Sequence, residues 1–335
     1  KDLPQGREGG CLHQWCINKQ LIIMANERGK TIDKTYLSID NAEDRGFIHR
    51  DYIAHCLRWT HVIKRLYERK CWQTARILDV GCGRELPLAK LLYSSKLIPA
   101  AYFGVDVGPI EDSEYQKLKG QMCDVSTIFE DQNFLTLERS DVSTKVVLEG
   151  LEHSQLPNFV TCFEVLEHVE PAMMMGMLEH MKSLTSEDAR FFISTPCWNR
   201  TDCAANHVNE MLYESLGSAF ERHGFVIEGV YGTFASIRDY EDQLGGRTVV
   251  TTPGWPGMTI ADAFDRLRAY YDTNFLSCIF APLFPAQSRN CLWELRKMTE
   301  KENCGNGRHR LERFPLITTI AQPWSSSARW MDMEK

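Results

Sequence analysis

The segment Arg76-Ile-Leu-Asp-Val-Gly-Cys-Gly-Arg-Glu85 constrains the fold more than any other part of the chain. A short apolar run ends in an acid, Asp79, and then bends through Gly81 and Gly83. Glycine reaches backbone angles closed to other residues and leaves no Cβ in the way of a ligand. A buried strand that ends in such a turn is the first strand-to-helix unit of an open α/β sheet, where adenosine-bearing ligands bind. A second apolar run, Tyr102-Phe-Gly-Val-Asp-Val107, puts Asp106 23 residues beyond Gly83. An acid at the end of a second strand, at about that distance, meets ribose hydroxyls.

The turn departs from the dinucleotide pattern at Glu85, where the third glycine of that pattern would stand. A carboxylate at a helix N-terminus repels phosphate, because that end of the helix attracts anions. A cofactor without phosphate escapes the conflict, and S-adenosylmethionine (SAM) is such a cofactor. A third landmark, Asn158-Phe-Val-Thr-Cys-Phe-Glu-Val-Leu-Glu-His-Val-Glu170, reads as a buried strand running into a polar, helix-opening segment. With Phe191-Phe-Ile-Ser-Thr-Pro196 and His223-Gly-Phe225 in the same order, the chain resembles the class I SAM-dependent methyltransferases. Its motifs are closest to the small-molecule O-methyltransferases of the coenzyme Q biosynthetic type. The likeness covers roughly residues 75 to 234 and a last strand at Asn290-Cys-Leu-Trp-Glu-Leu-Arg-Lys297.

The resemblance implies an α/β fold, a Rossmann-like seven-stranded sheet with an N-terminal helical cap and a lid insertion before the last strand. It places SAM against Asp79, Gly81, Cys82 and Gly83, the ribose at Asp106 and Val107, and the adenine at a strand-end acid. Cys123-Asp124-Val125 and Ser140-Asp141-Val142 both look like that acid. Asp141, with Val142, is preferred because Phe134-Leu-Thr-Leu137 supplies an apolar approach to it. Glu164 ends the fourth strand beside the cofactor, and Glu164, Glu167, His168 and His207 are the candidate catalytic residues facing the acceptor. The Glu164-x-x-Glu167-His168 segment is also similar to that of small-RNA 2′-O-methyltransferases, where it holds a divalent metal together with a later histidine. His207 is 39 residues beyond His168, unlike that family, and no metal is assigned. Cys197, Cys203 and His207 match no zinc-ligand spacing.

Three segments organise the chain: an irregular N-terminal stretch (1–43), a methyltransferase domain (44–298, with an insertion at 235–289), and a polar C-terminal tail (299–335). Helices are expected at 44–70, 86–94, 171–184, 209–223 and 260–272. The five methionines between Met173 and Met181 read as adaptable core packing. Of 335 residues, 43% are apolar, enough for a large core, and no apolar run nears the ~20 residues of a membrane span. The 12 cysteines are scattered through apparent strands, which suits reduced thiols and a cytoplasmic location. A formal charge of −7 disfavours a broad nucleic-acid surface, since phosphate contacts need clustered Lys and Arg. A small-molecule acceptor is the expected partner. The alternatives are an RNA methyltransferase of 2′-O or cap type and a non-catalytic SAM-binding scaffold subunit, and nothing in the sequence fixes an oligomeric state.

Overall fold

The computed structural model describes residues 50–69, 71–108, 116, 118, 127–130, 148–198, 206–234, 260–271, 273–300 and 302. Seven strands form one sheet: β1 (Arg76–Val80), β2 (Ala101–Asp106), β3 (Thr127–Glu130), β4 (Phe159–Phe163), β5 (Arg190–Pro196), β6 (Phe225–Phe234) and β7 (Asn290–Lys297). Their order is β3-β2-β1-β4-β5-β7-β6. β1 to β5 run parallel, and β7 slots antiparallel between β5 and β6. The chain reverses direction in the sheet between β1 and β4, so the ends of those two strands open the crevice where ligands of such sheets bind.

The sheet is covered on both faces. Along β1 the side chains alternate. Leu78 and Val80 enter one core with Phe103, Val160, Phe191 and Trp293, while Ile77 enters the other with Tyr102, Phe192 and Leu292. This period of two is what a strand buried on both sides requires. The first face is closed by α3 (Pro171–Ser183) and α4 (Tyr213–Arg222). Met174, Met177 and Met181 are fully buried there, as expected of core methionines. The second face is closed by α1 (Arg50–Glu68) and α2 (Pro87–Ser94), through Val62, Leu66, Leu88 and Leu92. α1 is also tied to the far edge of the sheet. Arg65 donates to Glu294 (3.0 Å) and to Tyr231 (2.7 Å), and burial pushes the Tyr231 hydroxyl up to about 12.

Several expectations are corrected. The strand paired with β2 is Thr127–Glu130, a segment not singled out in the sequence, while the Phe134–Leu137 approach lies outside the described residues. α4 starts at Tyr213 and not at Asn209, because the Asn209 N–H goes to the Glu167 carbonyl and its side chain to the Leu166 carbonyl. The helix expected at 260–272 ends earlier, as α5 (Ile260–Leu267), and a second helix, α6 (Thr273–Phe280), follows beyond the expected range. They form a small core of their own around Phe264, Phe280 and Phe284. The 1–43 segment and nearly all of the tail lie outside the described residues, as do Asp124, Asp141 and Val142. Among the described residues, no helix is long and apolar enough to cross a membrane.

Candidate active site

The cofactor turn leaves β1 at Val80, with Gly81 and Gly83 both left-handed (φ 72° and 73°). The Gly81 and Cys82 N–H groups donate to the Val105 carbonyl of β2 (2.7 and 3.1 Å). The Gly83 N–H donates to one carboxylate oxygen of Asp106, and the Gly108 N–H donates to the other, each at 2.9 Å. Asp106 thus joins the turns after β1 and β2. Each oxygen keeps a lone pair, and the side chain is only half-buried. Val107, the next residue, packs partly against the core. A Cβ on Gly81 would lie 2.3 Å from Cγ2 of Val165, so this glycine serves the close approach of the β4 turn as well as the backbone angle.

Asp79 is placed differently from its neighbours in the turn. It is buried, and its two oxygens accept from Tyr102 (2.5 Å) and Thr161 (2.7 Å). The carboxylate therefore bridges β1 to β2 and β4 beneath the turn. Burial raises it to about 6, against the pull of its two hydrogen bonds. Cys82 is also buried, and burial followed by the charges of Asp106 and Asp79 pushes its thiol well up. A thiol so held is an inert packing group. Glu85 lies 3.8 Å from Lys90, on the helix that follows.

Across the crevice, β4 ends at Phe163, and Glu164 takes the left-handed conformation (φ 57°). Its carboxylate accepts from Ser194 (2.8 Å), Arg58 (3.1 Å) and Asn290 (2.9 and 2.8 Å). A single 3₁₀ turn, Leu166–His168, follows. Glu167 is 1% exposed and accepts from Thr195 (3.2 Å). His168 has Nδ1 3.0 Å from the Asn206 carbonyl, which can only accept, so the proton sits on Nδ1. Nε2, at the other end of the ring, lies 3.4 Å from Glu167. His207 is brought alongside because Val208 and Asn209 donate their N–H groups to the Glu167 carbonyl. The two imidazoles meet edge to face at 4.8 Å.

Nδ1 of His207 pairs with the Glu210 carboxylate. Burial alone would lower the imidazole's pKa, but the Glu210 hydrogen bond and the charges of Glu167, Glu210 and Glu164 leave it raised. One ligand atom from each of Glu167, His168 and His207 falls within 4.8 Å of the others. Ligands about 2.0–2.2 Å from a cation sit roughly 3 to 4.4 Å apart, so small side-chain rotations would let the three hold one. Both histidines already have the outer partner on Nδ1 that orients metal-binding imidazoles. The structure thus offers a metal-competent group where residue spacing alone assigned none. Sequence reasoning named these three residues, but it missed Arg58, Ser194 and Asn290 as partners of Glu164. Arg58 is one of several polar residues on α1, and nothing local marks the other two.

A sheet of this order, with a left-handed glycine turn facing a strand-end acid, is that of a class I SAM-dependent methyltransferase. The chain matches the methyltransferase domain family over residues 49–242, more than half of its length, and belongs to it. No curated protein matches. Among solved structures it is similar to the 1,6-didemethyltoxoflavin-N1-methyltransferase of Burkholderia thailandensis, whose structure holds 1,6-didemethyltoxoflavin and S-adenosylhomocysteine. The two are 13% identical, with a TM-score of 0.47, over 89% of this chain and 94% of that one. It is also similar to the magnesium protoporphyrin IX methyltransferase of Synechocystis (13% identity, TM-score 0.41, 74% and 85% covered). The small RNA methyltransferase HEN1 is a third (16%, 0.42, 73% and 25%). Similarities this distant leave the acceptor open.

Proposed function

We propose that the protein transfers the methyl group of SAM to a hydroxyl or amine of a small-molecule acceptor by in-line displacement, in the cytoplasm. The observation that carries the reading is the Glu167–His168–His207 group across the crevice from the Gly81–Asp106 turn. The turn suits a cofactor without phosphate. Asp106 keeps a lone pair on each oxygen for a ribose diol, and Glu85 stands where phosphate would be repelled. When bound, SAM supplies an electrophilic methyl group. The work left to the chain is alignment and removal of the acceptor's proton. His207 is suited to take that proton. Glu210 holds its Nδ1 proton, which leaves Nε2 as the base, and stabilises the imidazolium that forms. His168 and Glu167 line the same side, where they can hold the acceptor's polar group. The order of motifs shared with coenzyme Q-type O-methyltransferases supports a small acceptor, as does the negative formal charge of −7. The free thiols among the described residues suit a reducing compartment.

The spacing of the three ligand atoms also favours a second reading, in which a divalent cation at Glu167, His168 and His207 polarises the acceptor oxygen. The test begins with calorimetric titration of SAM and S-adenosylhomocysteine into the wild-type protein and Asp106→Ala. Micromolar binding that Asp106→Ala loses supports the cofactor site, and no binding to wild type sinks the reading. Acceptors are then screened, metabolites before RNA, with and without a chelator. Activity indifferent to the chelator favours His207 as base. In that case its raised pKa puts the rising limb of the rate above the ordinary histidine value of 6.5.

A further inference from the structure

Four elements converge on the Glu164 carboxylate: Ser194 from β5, Arg58 from α1, Asn290 from β7, and the end of β4 itself. Asn290 is 0% exposed, and its amide can sit only one way round. Its Nδ2 donates to both Glu164 oxygens, while its Oδ1 accepts from Arg58 (3.3 Å) and Thr233 (2.9 Å). Turned over, it would set an oxygen against a carboxylate and an NH₂ group against a guanidinium. Arg58 is 2% exposed and reaches both Glu164 and Asn290 through Nη1.

The geometry at Glu164 explains what such a network holds. A non-glycine residue in the left-handed region is strained and persists only where its surroundings over-determine it. Here the backbone N–H of Glu164 is held by the Ser194 carbonyl (2.9 Å), and the side chain by the three donors. The bend so fixed sets two neighbours. Val165 is pressed over Gly81 in the cofactor turn, and Glu167 and His168 follow in the next turn of chain. We propose that Arg58 and Asn290 are positioning residues, acting through Glu164 on the turn that touches the cofactor loop on one side and carries Glu167 and His168 on the other. The inference rests on the proposed cofactor site. It makes the Glu164 carboxylate a fixture of the scaffold and not the group that takes the acceptor's proton.

Moving the charge tests it. In Glu164→Gln an NH₂ group faces the Asn290 NH₂, and in Asn290→Asp two carboxylates face one another. In the double variant the new amide on the β4 turn donates to the new carboxylate on β7, which still accepts from Arg58 and Thr233. The network is thereby remade with its carboxylate on the other strand. Calorimetry with S-adenosylhomocysteine, well below each melting temperature, reads the cofactor loop. Each single variant should bind about tenfold more weakly, as sub-ångström misplacement can cost factors of that order. The double should return to within about threefold of wild type, the mark of coupled neighbours. Thr233→Val, which removes one donor to Asn290, should weaken binding about threefold through one lost hydrogen bond. It keeps the inference testable if a charged variant does not fold. Singles that lower the melting temperature but leave affinity unchanged would overturn the inference and leave a purely structural network. A double no better than the worse single would overturn it too. Wild-type protein that binds no S-adenosylhomocysteine removes the cofactor reading and this inference with it, whereas normal wild-type binding with unmoved variants removes this inference alone.

Discussion

Alanine at Gly81 and alanine at Gly83 make a matched pair. The two backbones are nearly the same, φ 72° and 73°, so each variant carries a left-handed penalty of about 1–2 kcal/mol, partly offset by the stiffer unfolded chain. The surroundings differ. The new methyl at position 83 would meet only Cδ of Pro87, at 3.6 Å, an ordinary contact. At position 81 it would lie 2.3 Å from Cγ2 of Val165. Valine is restricted at χ1 and turns aside with difficulty, so overpacking adds about 1–3 kcal/mol. Gly83→Ala should therefore lose about 1 kcal/mol, and Gly81→Ala about 2–4 kcal/mol on the same principles. Urea unfolding at constant slope measures both. Because Cβ of Val165 would be 3.7 Å from the new methyl, truncating that residue removes the clash. Gly81→Ala with Val165→Ala should then lose less than the sum of the two single changes. Equal losses in Gly81→Ala and Gly83→Ala, or strict additivity in the double variant, would refute the claim that the β4 turn presses on the cofactor turn.

Asp79 gives a pH prediction. Burial holds it at about 6 against an ordinary 3.8, so its contribution to stability is complete below the unfolded value and is lost as pH rises through about 6. At 1.36 kcal/mol per pH unit the loss is about 3 kcal/mol. Urea midpoints at pH 4.5 and pH 8 should show part of that fall in the wild type and a flatter profile in Asp79→Asn. Gly232→Ala would push a methyl to 2.0 Å from the Ser288 hydroxyl and 2.2 Å from the Ala281 carbonyl oxygen. Backbone cannot step aside cheaply, so a loss of about 3 kcal/mol or more is expected, read as a drop in the thermal midpoint. An unchanged midpoint would mean that the 281–288 segment does not seat on β6 as described.

Sequence reached the elements whose identity is local. β1, β4, β5 and β7 are apolar runs closed by an acid, a proline or charge, and the positive angles at Gly81 and Gly83 are announced by the residues themselves. At Glu164 the same backbone region is occupied by a residue that gives no such sign. Its conformation is set by Arg58 and Asn290, 106 and 126 residues away, which no local pattern records. β3 was hard for the opposite reason, since Thr127–Glu130 is a short stretch with little apolar character and only its pairing with β2 marks it as a strand. The Glu167–His168 pair was visible as a motif. His207 was visible only as a candidate, because its place depends on two amide hydrogen bonds to the Glu167 carbonyl.

The late arrival of β7 has a consequence for how the chain is made. During synthesis β5 and β6 emerge with a gap between them that stays open until residues 290–297 leave the ribosome, after the whole 235–289 insertion has been translated. Until then both strands present bare edges, a template for pairing with other chains. Asn290 and Trp293, which complete the Glu164 network and the core beneath it, enter at the same moment. Nascent chains halted before residue 290 should therefore be protease-sensitive and prone to aggregate, and the crevice should gain its ligand-binding shape in a single late step as the last strand docks.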